Sequence, residues 1–117
     1  MNINYRVREI FFNGHKDDIV FEFKEGYELI STFLSADAEV DPESYIEALD
    51  SVLNEESEYE ELNGNVCGIL IHKDKTKVID CLAEDGMGNW CEIETTELRE
   101  LIYIWCDEVK RFKEQNK

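Results

Sequence analysis

The chain has 117 residues, 43 % of them hydrophobic, with thirteen aromatics among them. That is enough to bury one core but not two, and too apolar for a disordered acidic tail. Twelve Lys and Arg against 28 Asp and Glu leave a formal charge of −16. This balance speaks against nucleic acid and anionic membranes as partners, since both are held by clustered cations.

Residues 3–12 alternate Ile3, Tyr5 and Val7 with Asn4, Arg6 and Arg8, the period of a strand. Asn13-Gly14 opens a turn, and Ile19, Phe21 and Phe23 resume the alternation after the polar stretch His15–Asp18. A hairpin is expected, with a loop longer than the tight two-residue form. In residues 26–35, Tyr27, Ile30, Phe33 and Leu34 share one helical face. Asp41-Pro42 reads as an N-cap followed by proline at the first helical position, and Tyr45, Ile46, Leu49, Val52 and Leu53 recur at helical spacing to about Asn54. Glu55–Glu61 reads as an acidic connector that contains Tyr59.

From Asn65 the pattern returns to strand: Val66–His72, a turn around Asp74-Lys75, Val78–Ala83, a glycine-bearing loop over Glu84–Asn89, then Trp90–Glu94. Thr95 or Thr96 is placed to cap a last helix, in which Leu98, Leu101, Ile102, Trp105, Val109 and Phe112 form one stripe. Lys110, Arg111 and Lys113 crowd its C-terminal end, where cations suit the helix dipole. The order ββααβββα predicts an α+β fold over 1–117: an antiparallel sheet of about five strands packed with three helices. No repeat, linker or low-complexity segment divides it.

A turn near Lys75 and a loop near Gly86 place Ile69, Cys81 and Cys91 in one cross-strand row. The expected core face is then Cys67, Ile69, Ile71, Ile79, Cys81, Ala83, Cys91 and Ile93. The other face mixes Val66, Leu70, Val78, Leu82 and Trp90 with His72, Asp80 and Glu92. It is either covered by helices or an exposed platform; with three helices at hand, covering is expected.

Chemistry-bearing patterns are few. His15 falls in a polar loop, and His72 reaches only Asp80 across the ladder, with no activated Ser or Cys beside it. No catalytic set is expected. The alternating carboxylates Asp37, Glu39, Asp41 and Glu43 start like an EF-hand loop, but Pro42 stands where its glycine belongs and Ala48 where its final glutamate belongs, so no metal site is assigned. Cys67, Cys81, Cys91 and Cys106 lack zinc-ligand spacing and read as small buried hydrophobes of a reducing cytosol. A strained disulfide between Cys81 and Cys91 is the less favoured alternative. Gly86 and Gly88 are flanked by acids that repel phosphate, and no cofactor is implied. No apolar run approaches the ~20 residues of a membrane span. MNINYRVREIFF lacks the layout of a signal peptide, so a cytoplasmic protein is expected.

The most informative stretch runs from Glu25 to His72. These 48 residues hold thirteen Asp and Glu and no Lys or Arg, and so carry −13 of the −16. Helix surfaces ordinarily mix both signs to gain pairs worth ~0.2–0.5 kcal/mol each. Solubility alone is the bland explanation. The complete lack of cations favours selection for negative potential and a basic partner to steer. The expected docking residues are Asp37, Glu39, Asp41, Glu43, Glu47, Glu55, Glu56, Glu58, Glu60 and Glu61, with Tyr59 and Trp90 as aromatic anchors.

In this character, and in the stretch from Asn65-Val66-Cys67 through Trp90, Thr95–Leu98 and Trp105, the chain resembles bacterial immunity proteins of polymorphic toxin systems. Those of contact-dependent growth inhibition are among them. The resemblance implies a tight complex with a cationic toxin nuclease domain, the carboxylates covering the groove built for phosphates. An accessory or regulatory module for some other basic protein, a nucleic-acid mimic included, is the alternative.

Overall fold

The computed structural model describes residues 5–81 and 90–115, with backbone only at Phe12 and residues 15–17. Two antiparallel sheets and three helices are formed by these described residues. The expectations for Ile3, Asn4, Leu82, Ala83 and the 84–89 loop lie outside the described residues, as does that for the side chain of His15.

β1 (Tyr5–Phe12) and β2 (His15–Phe23) form a separate two-stranded sheet. The turn between them is tighter than the sequence suggested. Phe12 pairs with His15, and Asn13 and Gly14 take φ of 53° and 79°, the left-handed pair that a two-residue turn needs. The polar residues after it belong to β2; a bulge at Ile10/Phe11 skips Asp17 and restores the alternation. Arg6 and Glu22, directly opposite each other, form an ion pair at 2.5 Å. Ile19, Phe21 and Phe23 face the core, Tyr5 stacks on Phe21 at 4.4 Å, and Phe21 meets Trp105 edge-on at 4.9 Å.

α1 (Glu28–Phe33) buries Ile30 and Phe33, as its spacing predicted, and runs into a wider turn over Leu34–Ala38. There the Glu39 N–H reaches back to the Leu34 carbonyl at 3.0 Å, five residues earlier. α2 (Pro42–Leu53) begins at the expected cap, Asp41 accepting from the Ser44 hydroxyl at 2.7 Å and from its N–H at 3.4 Å. It buries Tyr45, Leu49 and Val52. α3 (Thr95–Gln115) buries Leu98, Leu101, Ile102, Trp105 and Val109. The Thr95 hydroxyl donates to the His72 carbonyl at 2.5 Å and lies 2.9 Å from the Thr76 hydroxyl. It therefore ties the start of α3 to the sheet. No described helix is long and apolar enough to cross a membrane.

The second sheet runs β3 (Tyr59–Asn63), β4 (Cys67–His72), β5 (Lys75–Asp80), β6 (Trp90–Glu94). β3 takes in Tyr59, Glu60 and Glu61, the end of what read as a connector. It is an edge strand with only Leu62 and Glu60 half-buried, so it has neither the apolar content nor the alternation that announces a strand.

The expected register needs correction. Ile69 pairs with Val78, and Val78 with Cys91, because β5 already begins at Lys75. Against the expected Ile69–Cys81 pairing this is a shift of three residues, and an odd shift turns a strand over. The inner face of β5 is thus Thr76 and Val78, both fully buried, while Ile79 is half-exposed and Cys81 exposed. Cys81 is not opposite Cys91, all four cysteines are free, and Cys81 is no core residue.

The helices pack on the inner face alone. On the other face Tyr59, His72, Trp90 and Glu92 are exposed and Leu70, Lys77 and Ile79 half-exposed. The expected helical cover is absent among the described residues.

Candidate functional site

The ten acidic residues singled out in the sequence fall into different environments. Asp37 is 3 % exposed. The wide turn after α1 aims its carboxylate at the β3–β4 connection, where it accepts from the backbone N–H groups of Asn65 (2.6 Å), Val66 (3.2 Å) and Cys67 (2.8 Å). Gly64 is required beside it, since a Cβ there would lie 2.4 Å from the Asp37 carboxyl carbon and 2.7 Å from the Tyr45 hydroxyl. Burial and the Asp37 charge push the Tyr45 phenol up to about 12. Asp37 is a structural carboxylate, with no face to offer a partner. Asp41 is committed to its cap.

Glu39 is half-buried, and burial raises its carboxyl above the usual range against the opposing pull of Lys113. Glu55, at φ 62°, pairs with Lys73 at 2.6 Å, which lowers its carboxyl through that hydrogen bond. Asp50, which the sequence reading passed over, pairs with Arg99 at 2.5 Å. Among the described residues, cations from outside the acidic segment therefore form ion pairs with Asp50 and Glu55.

Glu43, Glu47, Glu56, Glu58 and Glu61 are exposed and have no cation at ion-pair distance among the described residues. Glu47, Glu56 and Glu60 line a cleft of about 330 Å³ between α2 and β3, with Ser44, Ala48 and Ser51. Glu60 accepts from the Ser57 hydroxyl at 2.9 Å. Glu58 and Glu61 lie outside this cleft, Glu61 on the open sheet face with Tyr59.

The two aromatic candidates are not brought together. Tyr59 is 55 % exposed and stacks on His72 with centroids 5.9 Å apart. Trp90 is equally exposed, but stands on the opposite edge strand and at the other end of the sheet. Strand spacings put them on the order of 20 Å apart. Lys77 covers the Trp90 ring at 4.2 Å, so Trp90 sits in a mixed field and not in the acidic one.

On the other side of α2 lies a larger groove, about 550 Å³, that the sequence reading missed. Ile46 and Pro42 of α2 and Ile102, Tyr103 and Cys106 of α3 form its apolar surface, and Glu43, Glu47, Asp50 and Glu56 stand around it. The signal was present in the run Leu101–Cys106, six consecutive apolar residues where one buried face needs three or four. Tyr103 is 51 % exposed. No cluster of His, Cys, Asp or Glu fit to hold a metal ion occurs among the described residues.

The chain is 44 % identical over 105 residues to an immunity protein of Bacillus cereus, an alignment that covers 90 % of this chain and 87 % of the relative. It belongs to that immunity-protein family. The alignment leaves about a tenth of this chain uncovered, so the similarity extends well beyond any single element of the fold. No family model and no solved structure matches the chain.

Proposed function

We propose that this immunity protein binds and neutralises a cognate toxin in the cytoplasm, without catalysis of its own, by laying its acidic α2–β3 surface over a cationic nuclease domain. The observation that carries the reading is the group Glu43, Glu47, Glu56, Glu58 and Glu61, exposed and without cations among the described residues. A nuclease must present Lys and Arg to hold phosphates, so negative potential on its inhibitor raises the rate of encounter and disfavours other partners. Family membership favours a toxin over some other basic protein, and polymorphic toxins, those of contact-dependent growth inhibition included, are the class that fits.

The docking surface is narrower than composition suggests: Glu43 and Glu47 of α2 with Glu56 and Glu60 across the cleft, extended by Glu58, just before β3, and by Tyr59 and Glu61 on it. Asp37 and Asp41 hold the fold, Glu55 is paired with Lys73, and Trp90 lies remote from the rest. The test is protection in cells. A nuclease toxin domain, sought among the genes that adjoin this one, is expressed with the wild-type protein or with the combined variant Glu47→Gln, Glu56→Gln, Glu60→Gln at matched levels. Full protection by wild type and partial or lost protection by the variant is expected. Equal protection by both would remove the acidic surface from the account.

A further inference from the structure

We infer that the groove between α2 and α3 receives one face of a cationic amphipathic helix of the partner, apolar ridge inward and Lys or Arg side chains on the acidic rim. This deepens the toxin-binding reading and rests on it. Two independent features converge. The surface of the groove is apolar (Ile46, Ile102, Tyr103, Cys106), and Tyr103 is the most exposed aromatic on α3. The rim is acidic and ordered: Glu43, Glu47 and Asp50 follow one another at four and three residues along α2, one stripe above Ile46.

The dimensions favour a helix. Pro42 to Ser51 spans ~14 Å at 1.5 Å per residue, room for between two and three turns laid alongside. A helix in a groove is read through apolar anchors one turn apart, and the apolar residues here, Pro42 and Ile46 on α2 and Ile102, Tyr103 and Cys106 on α3, span ~6 Å along each helix, room for a pair at i and i+3 or i+4. Charge selects the kind of helix. An anionic or neutral one would bring no counter-charge to Glu43, Glu47 and Glu56, whereas flanking Lys or Arg would pair with all three. Beyond Pro42 and Cys106 the surface changes character, with Lys110 and Lys113 beside Glu39 and Glu114, so the acidic stretch has a defined end. At the opposite end Arg99 is tied to Asp50 and lies over the Tyr103 ring at 5.1 Å. That pairing leaves Glu43, Glu47 and Glu56 for the ligand.

Two probes test this. The first is a cationic nuclease toxin domain, sought among the genes that adjoin this one, titrated against wild type, the double variant Ile46→Ala, Tyr103→Ala, and Trp90→Ala as control. The second is a fourteen-residue Leu/Lys peptide with leucines at helical spacing, compared by NMR with a scrambled peptide of equal composition. The double variant should weaken toxin binding roughly tenfold or more while Trp90→Ala changes it little. The patterned peptide alone should shift the amides of Ile46, Tyr103 and Cys106 and displace the toxin. If the toxin binds and the double variant binds it as tightly as wild type, the groove is not the contact and the immunity reading stands without it. If the toxin does not bind at all, that reading fails, and the peptides then decide the groove alone. Shifts confined to the groove and to the patterned peptide support it; equal shifts from both peptides, spread over the acidic surface, overturn it.

Discussion

Replacing Asp37 by alanine should destabilise the protein although it removes one of the excess negative charges. The carboxylate bonds three successive backbone N–H groups at 2.6, 3.2 and 2.8 Å, and hydrogen bonds to a charged group contribute about 1.5–3 kcal/mol each when nothing replaces them. Asn65 is exposed and Val66 half-buried, so water can take over those two donors; Cys67 is fully buried, and its N–H would be orphaned. The cost is therefore about 3 kcal/mol, one buried donor lost outright and two partly compensated. With an unfolding entropy of roughly 2.1 cal/mol/K per residue, a chain of this length has ΔS of about 0.25 kcal/mol/K, and the midpoint should fall by ~12 °C. Calorimetry or circular dichroism at neutral pH measures it, with Glu47→Ala as the control for charge alone. That control removes the same charge from an exposed site and should leave the midpoint unchanged or raise it slightly. A loss under ~1 kcal/mol for Asp37→Ala, or a gain like the control's, would show that the three bonds do not hold the β3–β4 connection.

The cysteines should separate by reactivity. Burial pushes the Cys67 and Cys91 thiols up to about 12 and about 11, so a thiol reagent at pH 8 should label exposed Cys81 first, half-buried Cys106 slowly, and Cys67 and Cys91 only on unfolding. Rapid labelling of Cys67 in the folded protein would contradict the core assignment. Burial raises Glu39, so its ionised form opposes folding: the cost is absent well below pH 4.5, grows as pH rises through the folded value, and is full above it. Glu39→Gln should therefore raise the melting midpoint at pH 7 and lose that advantage as pH drops below 4.5; an advantage that persists at pH 3 would place its origin elsewhere.

Local signals carried the parts of the fold that were legible in advance. Asp41-Pro42 marks the start of α2 by hydrogen-bonding chemistry confined to four residues, and the stripe from Leu98 to Val109 marks α3 by a period that no neighbour alters. The α+β class and the order of elements followed from such marks. The face of β5 did not, because it depends on which residue pairs with which. Moving one strand by three residues exchanges Ile79 and Cys81 for Thr76 and Val78 at the core, with no change in composition to announce it. β3 was hidden by its glutamates, which an edge strand with one open face tolerates.

The candidate site shows the same division. The excess of negative charge is plain from the sequence, but the work done by each carboxylate is a matter of tertiary contact. Asp37 is turned inward by the wide turn that precedes it, and Asp50 and Glu55 meet Arg99 and Lys73 from far along the chain. The groove between α2 and α3 needs both helices docked before it exists, so the surplus of apolar residues in Leu101–Cys106 was its one trace.

Under the proposed function, negative potential on the α2–β3 surface drives capture of a cationic toxin. The measurement that tests it is the association rate with a nuclease toxin domain sought among the adjoining genes, followed by stopped flow from 0.02 to 0.5 M NaCl. The rate for wild type should lie near 10⁸ M⁻¹s⁻¹ at low salt, on the order of magnitude set by electrostatic steering, and fall at least roughly tenfold across the range. The combined Glu47, Glu56 and Glu60 to Gln variant should start lower and fall less. A rate of about 10⁵–10⁶ M⁻¹s⁻¹ that is flat with salt and equal for both proteins would contradict the account.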